Sequence, residues 1–205
     1  MALGTPLSRS SELGVFCVES WSGDLRNKTT VRPLLDVLSE RSGLRFIHRT
    51  VDSGTQLVDY LKRWSNYAGY RVGYIACHGS AGEIYIGPDT LSITELADQL
   101  ERSKVDLSGR TLYLGSCAGM KTTRAALRDL RERTGLACVC GFKGEDGVNW
   151  LESAAFELLL FQALALTPYA QHRYALRDLV ADHQQLARRL EFRFDPAIPK
   201  ARHRA

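Results

Sequence analysis

Two residues that could perform acyl-transfer chemistry, His78 and Cys117, each follow an apolar run in this 205-residue chain. YIACHGS leads into His78 and Gly79, and LYLGSCAG leads into Cys117. A free thiol is mostly protonated at neutral pH, and a neighbouring imidazole can take its proton. Gly79 has a backbone N–H with no side chain over it, as one half of an oxyanion hole requires. The pattern indicates that Cys117 is a nucleophile and that His78 takes its proton.

Each residue also has a structural interpretation. Cys117 suits a crowded turn between a strand and a helix, and a lone histidine after a strand often makes one backbone hydrogen bond. The turn residues predict a helix starting near Gly119. The positive end of that helix dipole would lower the pKa of Cys117 and favour its thiolate.

Apolar runs alternate with helical patterns along the chain, which predicts an α/β fold with a mainly parallel central sheet. The carboxyl ends of such strands share one edge, so His78 and Cys117 are expected to meet there. The strands are predicted at 14–20, 44–51, 71–77, 110–116 and 136–142, with a hairpin arm at GEIYIG. The helices are predicted at 31–41, after Ser53, after Ser92, at 119–133, at 151–166 and up to about residue 190.

Length and composition favour one globular domain, assigned to residues 1–190, followed by a basic tail at 191–205. The net charge is +4, yet residues 188–205 alone hold six basic and two acidic side chains. Residues 1–187 then carry 21 charges of each sign, so no basic face for nucleic acid is predicted. No uncharged run is long enough to span a membrane. Five cysteines without a C-x-x-C pair favour a reducing cytoplasm and no metal or other cofactor.

The order of apolar strand, His-Gly, hairpin, helix, strand and small-small-Cys resembles the clan CD cysteine peptidases. That clan includes caspases, metacaspases, clostripain-like enzymes, separase and the bacterial CHAT peptidases, and the CHAT type is the most similar. The matching segments are HG, GEIYIG, SITEL, GSC, VCGF and LESAAFELLL, within roughly residues 70–166. This chain departs from the caspase QACRG motif with GSCAG. It also has Gly115 where metacaspases place an aspartate.

The resemblance implies a three-layer α/β/α caspase-hemoglobinase-like fold and a cysteine endopeptidase without a cofactor. Cys117 would form a thioester acyl-enzyme, and His78 would protonate the leaving amine and activate water. The N–H groups of Gly79 and Cys117 would stabilise the oxyanion. A protein substrate, an activating or sensor protein encoded alongside, and a role in antiviral defence also follow from the resemblance.

In such a fold the loop after the fifth strand, here 143–150, helps to form the pocket for the substrate residue before the cleaved bond. Glu145 and Asp146 would face a basic residue there, and Trp150 would line a neighbouring subsite. Asp24 and Asp52 follow strands at the same edge and are rival acids. A solvated acidic turn and a small apolar pocket remain open alternatives.

Two other functions compete with the peptidase. GSCAG also fits a G-x-C-x-G nucleophile elbow of an α/β-hydrolase, which would use His172 or His183 with Asp146 or Asp178. The second competing function is that of a catalytically silent caspase-like module, because the apolar helix at 151–166 could be buried against a partner chain. Among the other residues, His48 is expected to be structural, His172 exposed, and the four remaining cysteines part of the core.

Overall fold

A single eight-stranded sheet forms the centre of the protein, whose structure is a computed structural model describing residues 14–21, 29–144 and 149–196. The strands are β1 (Gly14–Ser20), β2 (Arg45–Thr50), β3 (Tyr70–Ser80), β4 (Glu83–Ile86), β5 (Asp89–Ser92), β6 (Thr111–Leu114), β7 (Cys138–Phe142) and β8 (Phe192–Asp195). The main sheet has the order β2-β1-β3-β6-β7-β8, and β4 and β5 form a hairpin beyond β3.

All neighbouring strands from β2 to β7 in the main sheet run parallel, and only β8 pairs antiparallel with β7. The chain moves from β1 outward to β2, then returns past β1 to β3. This reversal between β1 and β3 is a topological switch point, where α/β folds open a crevice at the carboxyl edge.

Helices cover both faces of the sheet. They are α1 (Arg32–Ser42), α2 (Gly54–Ser65), α3 (Ile93–Arg102), α4 (Arg124–Thr134), α5 (Trp150–Ala165), α6 (His172–Asp182) and α7 (Gln184–Arg189). One core layer packs α2, α3 and α4 against the sheet around Trp64. The other packs α1, α5, α6 and α7 around Tyr113 and Phe161. The predicted mixed α/β class with a mostly parallel sheet between helices is confirmed.

Local sequence signals explain where several helices begin and end. Ser92 and Glu95 form a reciprocal capping box at the start of α3. The Ser53 side chain accepts the Gln56 N–H at the start of α2. Gly43 ends α1 in the left-handed conformation, with φ 69°.

Three boundaries differ from the sequence-based expectation. β3 continues through His78 to Ser80, because the hairpin strand β4 pairs with its last three residues. The last predicted helix is divided at His183 into α6 and α7. Residues Phe192–Asp195 were assigned to the tail but form β8, where Phe192 and Phe194 pack against the second core layer. Among the described residues, no helix is both long and apolar enough to cross a membrane.

Candidate active site

Cys117 lies in a tight turn directly after β6. Gly115 N–H donates to the Ile75 carbonyl at 2.8 Å, which fixes the exit from the sheet. Ala118 has φ 52°, an uncommon left-handed conformation for a residue with a Cβ. The turn carbonyl of Ala118 accepts the Gly82 N–H at 3.1 Å, and this bond ties the turn to the β3–β4 hairpin.

Helix α4 begins only at Arg124, where the Thr123 hydroxyl accepts the Ala126 N–H at 3.1 Å. The predicted helix start near Gly119 is therefore wrong, since residues 115–123 form turn and bend before the cap. The influence of a helix dipole is confined to its first turn. Cys117 precedes Arg124 by seven residues and therefore lies outside that range.

His78 lies where β3 leaves the main sheet for the hairpin. Cys77 still pairs with Ser20 of β1, whereas His78 pairs with Tyr85 of β4. The imidazole is exposed, and the Trp21 indole meets it edge-on with ring centroids 5.2 Å apart. Trp21 in turn donates from Nε1 to Glu19 at 3.2 Å. A fixed indole therefore packs against one side of the predicted acid–base residue.

Gly79 brings the backbones of the two predicted catalytic segments together. A Cβ atom at this position would lie 2.5 Å from the Glu83 carbonyl oxygen and 3.0 Å from the Cys117 carbonyl oxygen. The distance to the Glu83 oxygen is too short for a real side chain and the distance to the Cys117 oxygen is unusually tight, so this approach requires glycine. The predicted pair of oxyanion donors, Gly79 and Cys117, thus belongs to two segments in direct contact.

His78 and Cys117 line one cavity of about 180 Å³ between α1 and α5, at the switch-point edge of the sheet. Its sheet-side wall comprises Trp21, Tyr74, Cys77, His78, Gly115, Cys117 and Phe142. Its helix-side wall comprises Thr30, Val31, Pro33, Leu34, Trp150, Ser153, Ala154 and Glu157.

The five thiols fall into two groups. Cys17, Cys77, Cys138 and Cys140 are buried, and only Cys117 is half-buried. Burial raises the pKa of Cys77 and of Cys138 to about 12, and raises those of Cys17 and Cys140 well above the ordinary value. These four thiols are therefore held in their unreactive protonated form, as their expected packing role implies.

A family model matches residues 12–195 of the chain. That model describes a family of unknown function, DUF6642. The chain belongs to the DUF6642 family. No curated protein matches this DUF6642 member in sequence.

Among solved structures, caspase-1 from Spodoptera frugiperda is similar to it, with 11% sequence identity and a TM-score of 0.49. That similarity covers 88% of this chain and 84% of the caspase chain.

Helix α5 of this DUF6642 member places a carboxyl group in the cavity wall that the sequence analysis missed. Glu157 is only 5% exposed and accepts hydrogen bonds from the hydroxyls of Tyr74 (3.0 Å) and Tyr113 (2.7 Å). Burial raises the pKa of Glu157 to about 7, although both tyrosine hydrogen bonds act to lower it. A signal was present in the sequence, because Glu157 shares a helical stripe with the core residues Leu160, Phe161 and Leu164.

A second buried carboxyl, Glu19, lies at the end of β1. It accepts hydrogen bonds from the Thr30 hydroxyl (2.8 Å) and the Val31 N–H (3.0 Å), and His48 Nε2 lies 3.0 Å from it. Burial raises its pKa, but the His48, Val31 and Thr30 hydrogen bonds outweigh burial and the net pKa is lowered. The structural role expected for His48 is therefore to hold this carboxylate.

The predicted substrate-pocket residues have different outcomes. Trp150, the first residue of α5, is 59% exposed and lines the cavity. Glu145, Asp146 and Asp24 lie outside the described residues. Asp52 is not among the side chains that line the described cavity.

The elbow-hydrolase alternative fails on the positions of its histidines. His172 was expected to be exposed but is 2% exposed, and its Nδ1 shares a hydrogen bond of 3.1 Å with the Thr111 hydroxyl. Thr111 is the first residue of β6, so His172 lies at the opposite edge of the sheet from Cys117. Burial lowers the pKa of His172 to about 4. His183 caps the junction of α6 and α7 and does not line the cavity.

Proposed function

We propose that this protein is a cysteine endopeptidase that uses Cys117 as nucleophile and His78 as general acid and base. The observation that carries the proposal is that both side chains line the same cavity at the switch-point edge. Active sites of open α/β sheets form at this edge. The separate burial of the other four thiols also supports Cys117 as the reactive one.

In the proposed reaction, the Cys117 thiolate attacks the substrate carbonyl carbon and a C–S bond forms. The peptide C–N bond then breaks, and the leaving amine takes a proton from His78. Water attacks the resulting thioester and gives its proton to His78, and breaking the C–S bond restores the thiolate. The N–H groups of Gly79 and Cys117 are proposed to bind the oxyanion of both tetrahedral intermediates.

The sequence resemblance to CHAT-type peptidases extends the proposal to its setting. The substrate would be a protein cleaved in the cytoplasm, and activity would depend on an activating or sensor protein. A role in antiviral defence belongs to the same resemblance.

A peptide-library cleavage assay tests the chemistry, with Cys117→Ala and His78→Ala compared with wild type. Cys117→Ala should abolish cleavage, and His78→Ala should reduce it by about 10²–10⁴-fold, the range of general acid–base catalysis. Cys140→Ala is the matched control, because it removes a buried thiol of the same core layer as the cavity floor. It should retain cleavage. Cleavage that survives Cys117→Ala would overturn the proposed mechanism.

A further inference from the structure

Glu157 places a carboxyl group where helix α5 otherwise buries hydrocarbon. Its neighbours along the buried stripe are Phe156, Leu160, Phe161 and Leu164. A carboxyl in such surroundings carries a large desolvation cost unless a partner compensates for it. The compensation within the described residues is incomplete, because both partners of Glu157 are neutral tyrosine hydroxyls.

The carboxylate also has unused acceptor capacity. Each of its oxygens has two lone pairs, and each accepts one hydrogen bond, from Tyr74 or from Tyr113. One lone pair on each oxygen therefore accepts no hydrogen bond from the described residues. A guanidinium or ammonium group would supply both the missing donors and the missing positive charge.

The Tyr74 side chain connects the Glu157 carboxyl to the turn that carries Cys117. Gly115, two residues before Cys117, is so close to Tyr74 that a Cβ there would lie 3.2 Å from the tyrosine hydroxyl oxygen. That hydroxyl donates to Glu157. A side chain reaching Glu157 through the cavity would therefore start from a backbone that passes beside Cys117.

The cavity suits one long side chain. Its volume of about 180 Å³ slightly exceeds the roughly 150 Å³ of a cavity that binds benzene. Tyr74, Phe142 and Trp150 offer aromatic surface to a methylene stem, and Glu157 offers a carboxyl group in the same cavity.

We propose that Glu157 selects a lysine or arginine side chain at the substrate residue whose carbonyl Cys117 attacks. This inference rests on the proposed peptidase function and deepens it. It assigns the specificity to a helix residue in the cavity wall rather than to the loop at 143–150.

Cation binding should be linked to pH, because an empty site holds Glu157 partly protonated at neutral pH. The titratable groups that act on it are the hydroxyls of Tyr74 and Tyr113, and the pKa of the Cys17 thiol is raised in part by Glu157. α1 contributes only apolar side chains such as Pro33 and Leu34 to the cavity. α6 and α7 pack apolar residues into the same layer, and Arg189 of α7 pairs with Glu152 instead.

The test measures peptide binding to the Cys117→Ala protein by calorimetry, so that no turnover interferes. The probes are acetyl-Ala-Ala-Arg-amide and the same peptide with neutral citrulline in place of arginine. We expect the arginine peptide to bind at least tenfold more tightly. Glu157→Gln, added to the same protein, should remove that difference. Glu152→Gln on the same helix is the matched control and should preserve it.

The pH dependence provides a readout that needs no variant of Glu157. With a pKa of about 7, Glu157 passes from about one-tenth to nine-tenths ionised between pH 6 and pH 8, so arginine-peptide binding should strengthen about tenfold. The citrulline peptide would occupy the same cavity and controls for every pH-dependent group other than Glu157. This comparison decides the inference even if Glu157→Gln fails to fold.

Equal binding of the two peptides, no detectable binding of either, or an arginine preference that survives Glu157→Gln would each overturn the inference. The outcomes remain distinct from those of the function test. Arginine preference without Cys117-dependent cleavage would overturn only the peptidase, and Cys117-dependent cleavage without arginine preference would overturn only the role of Glu157.

Discussion

Two glutamates are buried in the described part of the chain, and they have nearly equal exposure and opposite electrostatics. Glu19 is 4% exposed and Glu157 is 5% exposed. Glu19 is held by His48, a backbone N–H and a threonine hydroxyl, and its pKa is lowered. Glu157 is held by two phenol hydroxyls, and burial raises its pKa to about 7. Burial alone therefore does not determine whether a carboxyl is charged. The number and the charge of its hydrogen-bond donors determine it.

The difference separates a structural carboxyl from one available to a ligand. Glu19 has its partners within the fold, where it joins β1 to the start of α1 and orients Trp21 against His78. Glu157 has no cationic partner among the described residues and lines a cavity. Perturbed carboxyls of the second kind are typical of functional sites.

The largest expected effect comes from removing the Glu19 carboxyl, which accepts its hydrogen bonds from groups within the fold. Glu19→Ala leaves the Val31 N–H and the Thr30 hydroxyl without their acceptor and His48 without its partner. We expect a loss of about 3 kcal/mol or more in the free energy of unfolding, as for other broken buried networks. Urea unfolding at pH 7 measures it. Glu152→Ala, which breaks only a surface pair with Arg189, should cost less than about 1 kcal/mol.

The next effect concerns the stability of the ligand-free protein as a function of pH. Glu157 has a folded pKa of about 7 against an ordinary 4.5, so the folded state retains a proton that the unfolded state has lost. Stability must then fall as pH rises through this window, by a total of about 3 kcal/mol. Glu157→Gln removes this loss. The free energy of unfolding of the variant should therefore increase relative to that of wild type between pH 4.5 and pH 8.

Glu19 should produce the opposite slope. Its folded pKa is lowered, so its stabilisation is present above pH 4.5 and is lost as pH falls through the folded pKa. Thermal unfolding of wild type and Glu157→Gln across pH 4–8 separates the two contributions. A constant difference in stability over this range would contradict the raised pKa of Glu157.

The smallest effect comes from changing one donor at each carboxyl. Tyr113→Phe removes one of the two hydrogen bonds that lower the pKa of Glu157, so that pKa should rise further. The expected cost in unfolding free energy is about 1 kcal/mol. Infrared titration of the carboxyl band follows the pKa directly. Thr30→Val is the matched change at Glu19 and should move its pKa less, because His48 and Val31 remain. Equal shifts would remove the distinction between the two sites.

Much of the scaffold was predictable because its signals are local. The strand at 14–20 agrees residue for residue with β1, and the Ser92–Glu95 pair forms the expected capping box. Placing His78 and Cys117 at strand ends was enough to predict their common cavity, since parallel strands share one carboxyl edge.

The errors arose where tertiary contacts override local preference. Ala118, rather than the neighbouring Gly115 or Gly119, adopts the left-handed conformation in the turn that delays α4 to Arg124. β8 is only four residues long and depends on pairing with β7, whose paired residues lie fifty or more positions earlier in the chain. The sequence around Glu157 predicts a helix that is apolar on almost all of its faces. The environment of Glu157 depends on Tyr74 and Tyr113, which belong to two different strands.

The late position of β8 also has a consequence for synthesis on the ribosome. Until residue 195 has emerged, β7 is an edge strand with unpaired backbone groups, and Phe142 and Phe156 lack their packing against Phe192. Open edges of this kind are prone to pair with other chains. The nascent protein should therefore complete its sheet only after residue 195 has emerged. Ribosome-bound chains halted before β8 should be more sensitive to protease than released ones.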